Sequence, residues 1–181
     1  MYNLKKIYDE IYKKLPEYGS TNHGGYMQGY IVEEFSPKSI LDIGCGKGQF
    51  CQYLDSNGAE AHGVDISAPF TESDTIKWYR EDARKLPFED NFVEWSSSFD
   101  VLEHIPENDL DSVLSEMSRI SKKGFFLSIC YRDSIYKVKG QTLHPTVKNS
   151  LWWKNLLSKY GKVIEHDIQP TYGLYVILIE G

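Results

Sequence analysis

The sequence lacks a long apolar run, an excess of positive charge and an even set of cysteines. No stretch of its 181 residues approaches the ~20 apolar residues of a membrane helix, so we expect no membrane partner. Twenty Lys and Arg against 26 Asp and Glu give a net charge of -6, which argues against a nucleic-acid partner. The three cysteines, Cys45, Cys51 and Cys130, lie in apolar segments and indicate buried thiols in a reducing compartment. The mixed-charge N-terminal segment lacks the pattern of a signal peptide, so we expect a cytoplasmic protein.

The order of apolar patterns predicts the fold class. The length suits a single domain over residues 1–181, which we divide into a helical cap, 1–35, and an α/β core, 36–181. Helical spacing occurs at 4–15, 26–35, 49–57, 109–120 and 151–160, and strand-like runs at 39–44, 60–66, 77–81, 92–98, 125–130, 162–168 and 174–180. Strands that alternate with helices predict a doubly wound, mostly parallel seven-stranded sheet covered on both faces. The last connection, 169–173, is too short for a crossover helix, so we expect the last strand to be antiparallel.

A glycine-rich loop follows the first predicted strand and reads Leu41-Asp-Ile-Gly-Cys-Gly-Lys-Gly48. Glycines at this point let a strand turn sharply into a helix and bring bare backbone close to a ligand. A dinucleotide fingerprint would have a third glycine at position 49, which is Gln49 here. The acidic Asp42, two residues before the first glycine, would repel a pyrophosphate and attract a cofactor that carries a sulfonium and an ammonium group.

In these residues the chain resembles the class I S-adenosylmethionine-dependent methyltransferases, whose first motif is an acidic residue followed by G-x-G-x-G. The resemblance implies a Rossmann-like fold, S-adenosylmethionine as cofactor and S-adenosylhomocysteine as product. It implies a strand-end acid on the ribose hydroxyls, an acid and an amide on the adenine, and backbone after the fourth strand against the methionine part. The cofactor residues so implied are Asp42, Gly44, Cys45, Gly46, Gly48, Asp65, Ile66, Asp82, Ala83, Ser98 and Phe99.

Candidate catalytic residues follow the fourth predicted strand. Asp100, Glu103 and His104 stand at i, i+3 and i+4, so a helical turn would place them on one face. One interpretation makes His104 a general base that takes the proton of an attacking hydroxyl, with Glu103 or Asp100 orienting the ring. A non-catalytic alternative, in which His104 has a purely structural role, stays open.

The other catalytic interpretation is a metal. The same cluster resembles the metal-binding segment of O-methyltransferases that act on RNA 3′ termini and on ubiquinone precursors. This resemblance implies Asp100, Glu103, His104 and a distant second histidine, His144, as ligands of Mg²⁺ or Mn²⁺. Such an ion would lower the pKa of the attacking hydroxyl.

The substrate is expected against segments outside the cofactor motifs, 18–26 and 131–153. Their polar aromatic side chains stack on ring-shaped substrates, and an arginine grips phosphate. The chain looks similar to small methyltransferases of surface-polysaccharide and sugar modification, which implies O-methylation of a sugar or nucleotide-sugar in polysaccharide biosynthesis. The substrate residues so predicted are Tyr18, His23, Tyr26, Tyr131, Arg132 and His144, with Trp152 nearby.

Other functions remain open or are disfavoured. A quinone or phenol O-methyltransferase shares the cluster from Asp100 to His104, and a non-catalytic cofactor-binding partner subunit is the alternative from another class. Gln49 and Asp42 disfavour a nicotinamide oxidoreductase. A DNA amino-methyltransferase would need an Asn/Asp-Pro-Pro-Tyr-type segment where Ser-Ser-Phe-Asp stands. The sequence leaves monomer and homodimer open.

Overall fold

The computed structural model describes residues 3–70, 73–138 and 140–180. One seven-stranded sheet has the order β3-β2-β1-β4-β5-β9-β8, and β6 and β7 form a separate small hairpin. The strands are β1 (Ser39–Ile43), β2 (Glu60–Val64), β3 (Lys77–Tyr79), β4 (Val93–Phe99), β5 (Ser121–Cys130), β6 (Lys137–Val138), β7 (Gln141–Thr142), β8 (Lys162–Ile168) and β9 (Tyr172–Leu178). Strands β1 to β5 pair in parallel, whereas β9 is antiparallel to both β5 and β8. The predicted fold class and the reversed last strand are confirmed.

Helices flank the sheet, and the first and the last begin at a capping side chain. The side chain of Asn3 accepts a hydrogen bond at the start of the first helix, and Asn149 does the same for the last. The helices are α1 (Leu4–Lys14), α2 (Gln28–Tyr30), α3 (Gln49–Ser56), α4 (Glu107–Ile120) and α5 (Ser150–Leu157), with 3₁₀ turns at His23–Tyr26 and Leu102–His104. No helix among residues 3–70, 73–138 and 140–180 is both long and apolar enough to cross a membrane.

Alternate residues of each strand supply two separate cores. Ile40 of β1 packs on one face with Phe50 and Leu54 of α3, while Leu41 packs on the other with Val113 of α4. All five side chains are at most 3% exposed. The period-two alternation of side chains along a strand therefore produces the two-faced sheet that helices cover on both sides.

Three local expectations need correction. The predicted helix over 26–35 is broken, because α2 has three residues and continues as a wider π-helical turn, Ile31–Phe35, that ends at Ser36 with φ 41°. The long connection after β5 contains the β6–β7 hairpin, whose two-residue strands are too short to leave a pattern in the sequence. Cys130 is only half-buried, since it is the last residue of β5.

Candidate active site

A cavity of about 530 Å³ opens at the carboxyl ends of β1, β2 and β4, beneath α1. The chain leaves β1 toward β2 on one side, and β4 lies on the other, so the order of strands reverses at this point. Ligands of open α/β sheets bind at such a reversal. The cavity is therefore the place where this fold positions a site.

The glycine loop turns in the left-handed region of backbone space. Gly44 and Gly48 have φ of 74° and 84°. A Cβ atom at Gly44 would lie 2.3 Å from Cγ2 of Val101, and one at Gly48 would lie 2.1 Å from the ring of Trp78. Both conformation and space therefore demand glycine at these two positions.

A buried carboxylate, Asp42, and a half-buried one, Asp65, flank this loop. Asp42 is 4% exposed and accepts a hydrogen bond from Ser97 Oγ at 2.8 Å, and burial raises its pKa to about 7. Asp65 follows β2 and accepts backbone N–H bonds from Gly46 (3.1 Å), Ser67 (2.8 Å) and Ala68 (2.8 Å). Burial raises the pKa of Asp65, and the three N–H bonds oppose that shift. Asp65 thus ties the glycine loop to the end of the neighbouring strand.

Nine of the predicted cofactor residues line the cavity and two do not. Gly48 is the N-cap of α3 against the Trp78 ring, and Ser98 is fully buried within β4, so neither lines the cavity and their cofactor role stays a prediction. The lining residues are Asp42, Gly44, Cys45, Gly46, Asp65, Ile66, Asp82, Ala83 and Phe99. The sequence motifs therefore converge on one cavity.

Asp100 does not share a helical face with Glu103 and His104. It has a φ of 54° and precedes the 3₁₀ turn, so its carboxylate points elsewhere. Oδ2 lies 2.7 Å from Nδ1 of His23, and Oδ1 accepts a bond from Ser128 Oγ at 2.7 Å. Burial opposes ionisation of Asp100, but these bonds outweigh it and lower its pKa. The expectation that Asp100 orients His104 or joins a metal cluster is corrected.

In both His104 and His144, the ring nitrogen Nδ1 contacts a backbone carbonyl oxygen. Nδ1 of His104 lies 2.8 Å from the carbonyl oxygen of Leu143 and 2.7 Å from the Tyr8 hydroxyl. Nδ1 of His144 lies 2.7 Å from the carbonyl oxygen of Arg132. Because a carbonyl only accepts, we place the proton of each neutral ring on Nδ1, which leaves Nε2 unprotonated. Burial and the neighbouring His144 lower the pKa of His104 to about 3.

Glu103 completes a cluster with these two rings. Its side chain is fully buried, Oε1 accepts from the backbone N–H of Cys130 at 3.1 Å, and Oε2 has no partner among the described residues. One ligand atom each from Glu103, His104 and His144 lies within 4.8 Å of the others. The ring centroids of the two histidines are 4.5 Å apart.

The predicted substrate residues divide into two groups. Tyr18, His23, Arg132 and His144 line the cavity. Three others do not: Tyr26 is 72% exposed and stacks on Tyr172, the Tyr131 hydroxyl bonds to that of Tyr175, and Trp152 packs on Trp153 and Lys148. These three predictions are corrected, because the side chains contact other residues and do not line the cavity.

Sequence reasoning missed a row of cavity residues on α1. Leu4, Tyr8, Tyr12 and Leu15 all line the cavity, as does Tyr136 before β6. Their spacing of three to four residues along α1 was the available signal, since such residues share one helix face. The segment after α1 is fastened to the glycine loop, because Lys47 Nζ donates to the Pro16 carbonyl and to Ser20 Oγ.

The fold and the acid–glycine loop together define a nucleoside-cofactor domain of the methyltransferase type. Residues 41–129 match the family described as a methyltransferase domain. This match supports the class I methyltransferases that the sequence predicts, the class whose cofactor is S-adenosylmethionine.

Two curated relatives are O-methyltransferases by name. The chain is 30% identical over 115 residues to a probable chloroplastic tocopherol O-methyltransferase of Oryza sativa subsp. japonica, covering 55% of this chain and 31% of the relative. It is 25% identical over 145 residues to a ubiquinone biosynthesis O-methyltransferase of Chelativorans sp. (strain BNC1), covering 75% of this chain and 56% of the relative. The chain thus spans less than two thirds of either relative.

A solved structure shares the fold over almost the whole chain. The 1,6-didemethyltoxoflavin-N1-methyltransferase of Burkholderia thailandensis, crystallised with 1,6-didemethyltoxoflavin and S-adenosylhomocysteine, superposes with a TM-score of 0.80 at 14% identity. The match covers 98% of this chain and 88% of that chain. At this identity the likeness shows the architecture alone.

Proposed function

We propose that this chain transfers the methyl group of S-adenosylmethionine to a hydroxyl group of a small molecule. One observation carries the proposal: a single cavity of about 530 Å³ joins the acid–glycine loop to the acid and histidine side chains after β4. The loop side suits a cationic nucleoside cofactor, and the histidine side offers groups that handle a hydroxyl proton. The names of the tocopherol and ubiquinone relatives support transfer to oxygen.

The cofactor is assigned to the loop side by charge and by hydrogen-bond chemistry. Asp42, at the base of the loop, suits the ammonium group of the cofactor. Asp65, at the end of β2, suits the ribose hydroxyls, which a strand-end acid binds in related folds. Asp82 and the backbone of Ala83 suit the adenine amine and ring. Phe99 at the end of β4 lies where the methionine part would rest.

A divalent metal fits the cluster of Glu103, His104 and His144. The fit rests on the unpartnered, buried Oε2 of Glu103 and on two imidazoles whose Nε2 atoms are left unprotonated. A carboxylate with two imidazoles is a donor set that Mn²⁺ and similar ions accept. When bound, such an ion would supply a Lewis acid that lowers the pKa of a substrate hydroxyl.

Metal binding is tested without turnover. We expect chelator-treated protein to bind Mn²⁺ in a titration followed by calorimetry, and the His144→Ala variant to lose that binding. His166→Ala is the matched control, since His166 is exposed and stacks on Tyr30 away from the cavity. Equal Mn²⁺ affinity in wild type and His144→Ala would rule out this metal site.

The acceptor is assigned from the walls and rim of the cavity. Tyr8, Tyr12 and Tyr18 line its walls, and aromatic faces stack on sugar rings and on phenols alike. The cavity-lining Leu15, Ile135 and Tyr136 are 40%, 77% and 47% exposed, so part of the rim is apolar. This rim favours a phenol or quinol as the acceptor.

A sugar or nucleotide-sugar is the second candidate. Arg132 lines the same cavity and suits a phosphate, which keeps the predicted nucleotide-sugar in surface-polysaccharide biosynthesis as a proposal. Asp133, beside it, also lines the cavity and opposes a phosphate there.

The proposal is tested in two stages. Calorimetric titration with S-adenosylhomocysteine should show micromolar binding, and absence of binding would remove the proposal. Incubation with S-adenosylmethionine and a panel of catechols, hydroquinones, UDP-glucose and simple amines should then give a methylated hydroxyl detected by mass spectrometry. Methylation of amines alone would contradict transfer to oxygen. Cofactor binding without any product would favour the non-catalytic partner subunit.

A further inference from the structure

His23 and Asp100 form a hydrogen-bonded pair at the cavity that no sequence motif assigns. Nδ1 of His23 lies 2.7 Å from Oδ2 of Asp100, and Oδ1 of Asp100 accepts the hydroxyl of Ser128. Because a carboxylate accepts, the proton of the neutral ring lies on Nδ1 and Nε2 is unprotonated. Both His23 and Asp100 line the cavity, and the His23 side chain is 42% exposed. A carboxylate that fixes the tautomer of a histidine is the arrangement of an oriented base.

The pair is held by rigid surroundings on both sides. His23 begins a 3₁₀ turn after Asn22, whose amide donates to Gln28 Oε1 at 2.7 Å. The next residue, Gly24, is buried, and a Cβ atom there would lie 2.6 Å from Phe50 and 3.0 Å from Phe99. The 3₁₀ turn therefore packs directly against the rings of Phe50 and Phe99. On the other side, the backbone N–H of Asp100 donates to the Ser128 carbonyl at 3.0 Å.

The pair lies next to the segment where the proposed function places the methyl group of the cofactor. Asp100 follows Phe99 at the end of β4, the segment that the proposed function places beside the methionine part of the cofactor. His104, the base expected from sequence, instead lies in the proposed metal cluster with Glu103 and His144. The hydrogen bond that His23 donates to Asp100 raises the pKa of His23.

We propose that Nε2 of His23, oriented by Asp100, accepts the proton of the substrate hydroxyl during methyl transfer. The inference rests on the proposed function and deepens it. In this step the hydroxyl oxygen bonds to the methyl carbon, the carbon–sulfur bond breaks, and its electron pair stays on the sulfur of S-adenosylhomocysteine. The hydroxyl proton passes to Nε2, and Asp100 stabilises the imidazolium until the proton leaves to water. His23 is thus a catalytic residue and Asp100 a positioning residue.

The first test concerns the pair itself and needs no acceptor. Long-range ¹H–¹⁵N spectra of the imidazole nitrogens, recorded with and without S-adenosylhomocysteine, report which nitrogen of His23 carries the proton. We expect the proton on Nδ1, and a lower His23 pKa in the Asp100→Asn variant. Asp100 and His104 are the titratable groups that influence His23, so the same spectra are recorded on His104→Gln. A proton on Nε2, or an unchanged pKa in Asp100→Asn, would overturn the proposal.

The second test is kinetic and uses the acceptor that the panel identifies. Loss of a general base costs roughly 10²–10⁴-fold in rate, so His23→Ala should lose at least about 100-fold in kcat while retaining S-adenosylhomocysteine affinity. Added imidazole should restore part of that loss, and Asp100→Asn should move the acidic limb of the pH profile to lower pH. His166→Ala should behave as wild type.

The outcomes of the kinetic test separate the two proposals. Turnover of His23→Ala within about threefold of wild type would overturn the role of His23 and leave the proposed function intact. Absence of S-adenosylhomocysteine binding by the wild-type protein would remove the proposed function. The ¹H–¹⁵N spectra would still show whether Asp100 fixes the tautomer of His23.

Discussion

Arg84 holds both carboxylate oxygens of Asp82, with Nε 3.0 Å from Oδ1 and Nη2 2.6 Å from Oδ2. Its third nitrogen, Nη1, reaches Asp109 of α4 at 2.8 Å. The hydrogen bonds of Arg84 lower the pKa of Asp82, which stays anionic. Arg84 therefore fixes the orientation of a carboxylate that the proposed cofactor geometry places beside the adenine.

Replacement of Arg84 should weaken cofactor binding although Arg84 itself is absent from the cavity lining. Both side chains are about one-third exposed, so the pair contributes on the order of 1 kcal/mol and Arg84→Ala should raise the Kd for S-adenosylhomocysteine about fivefold. Arg84→Lys keeps the charge but loses the two-pronged contact, and should fall between wild type and Arg84→Ala. Calorimetric titration measures the three affinities, and an unchanged Kd in Arg84→Ala would contradict this relationship.

The affinity for the cofactor should depend on pH through Asp42. Burial raises the pKa of Asp42 to about 7 from its ordinary 3.8, so the free protein carries a proton there below pH 7. A group raised in this way favours the folded state at low pH and loses that contribution between pH 4 and 7. The ammonium group of S-adenosylhomocysteine favours the carboxylate, so binding should tighten from pH 6 to pH 8 and release a proton.

Calorimetry in buffers of different ionisation enthalpy measures that proton release. Asp42→Asn is the matched variant, because it keeps the size of the side chain and removes its titration. We expect this variant to bind more weakly and with a flatter pH dependence. A wild-type affinity that is constant from pH 6 to pH 8 would count against a titrating Asp42.

Gly48 and Gly58 share a backbone conformation but differ in the room that each leaves for a Cβ atom, so the two positions form a matched comparison. Both have a positive φ, 84° and 85°, but a Cβ atom at Gly48 would meet the Trp78 ring whereas nothing lies within 4 Å at Gly58. Gly58→Ala should therefore cost about 1–2 kcal/mol, the penalty of the left-handed conformation alone. Gly48→Ala should cost about 1–3 kcal/mol more, because the ring must shift.

Thermal unfolding distinguishes these variants. For a chain of this size, each 1 kcal/mol lowers Tm by roughly 2–4 °C, so Gly48→Ala should melt clearly below Gly58→Ala. Equal melting temperatures would show that Trp78 moves at no cost. Reduced binding of S-adenosylhomocysteine should accompany only the change at Gly48, which ends the glycine loop and is the N-cap of α3.

The sheet could be predicted from sequence because apolar alternation is a local signal. Ile40 and Leu41 lie on opposite faces of β1 because successive side chains alternate along a strand. The link between β8 and β9 is too short for a crossover helix, so the antiparallel pairing of β9 could also be predicted. The two-residue strands β6 and β7 carry no comparable pattern. The change from α-helical to π-helical geometry at Ile31 likewise has no counterpart in the spacing of apolar residues.

The candidate site was predictable only where motifs are local. The loop from Asp42 to Gly46 follows one strand and converges on the cavity. The spacing of Asp100 and His104 was interpreted as one helical face, but the positive φ of Asp100 redirects its carboxylate to His23. Contacts between residues so distant in the chain arise from the fold, and a single sequence carries no pattern that pairs them.

The position of β9 between β5 and β8 has a consequence for how the protein is made. β9 follows β8 in sequence but separates it from β5 in the sheet, so β8 joins the sheet only through a strand that emerges later from the ribosome. Until translation passes Leu178, the hydrogen-bonding edge of β5 is open to other chains. Synthesis at roughly 5–20 residues per second makes that interval about 2–10 seconds long. Ribosomal pausing in this stretch would lengthen the exposure and favour aggregation of nascent chains.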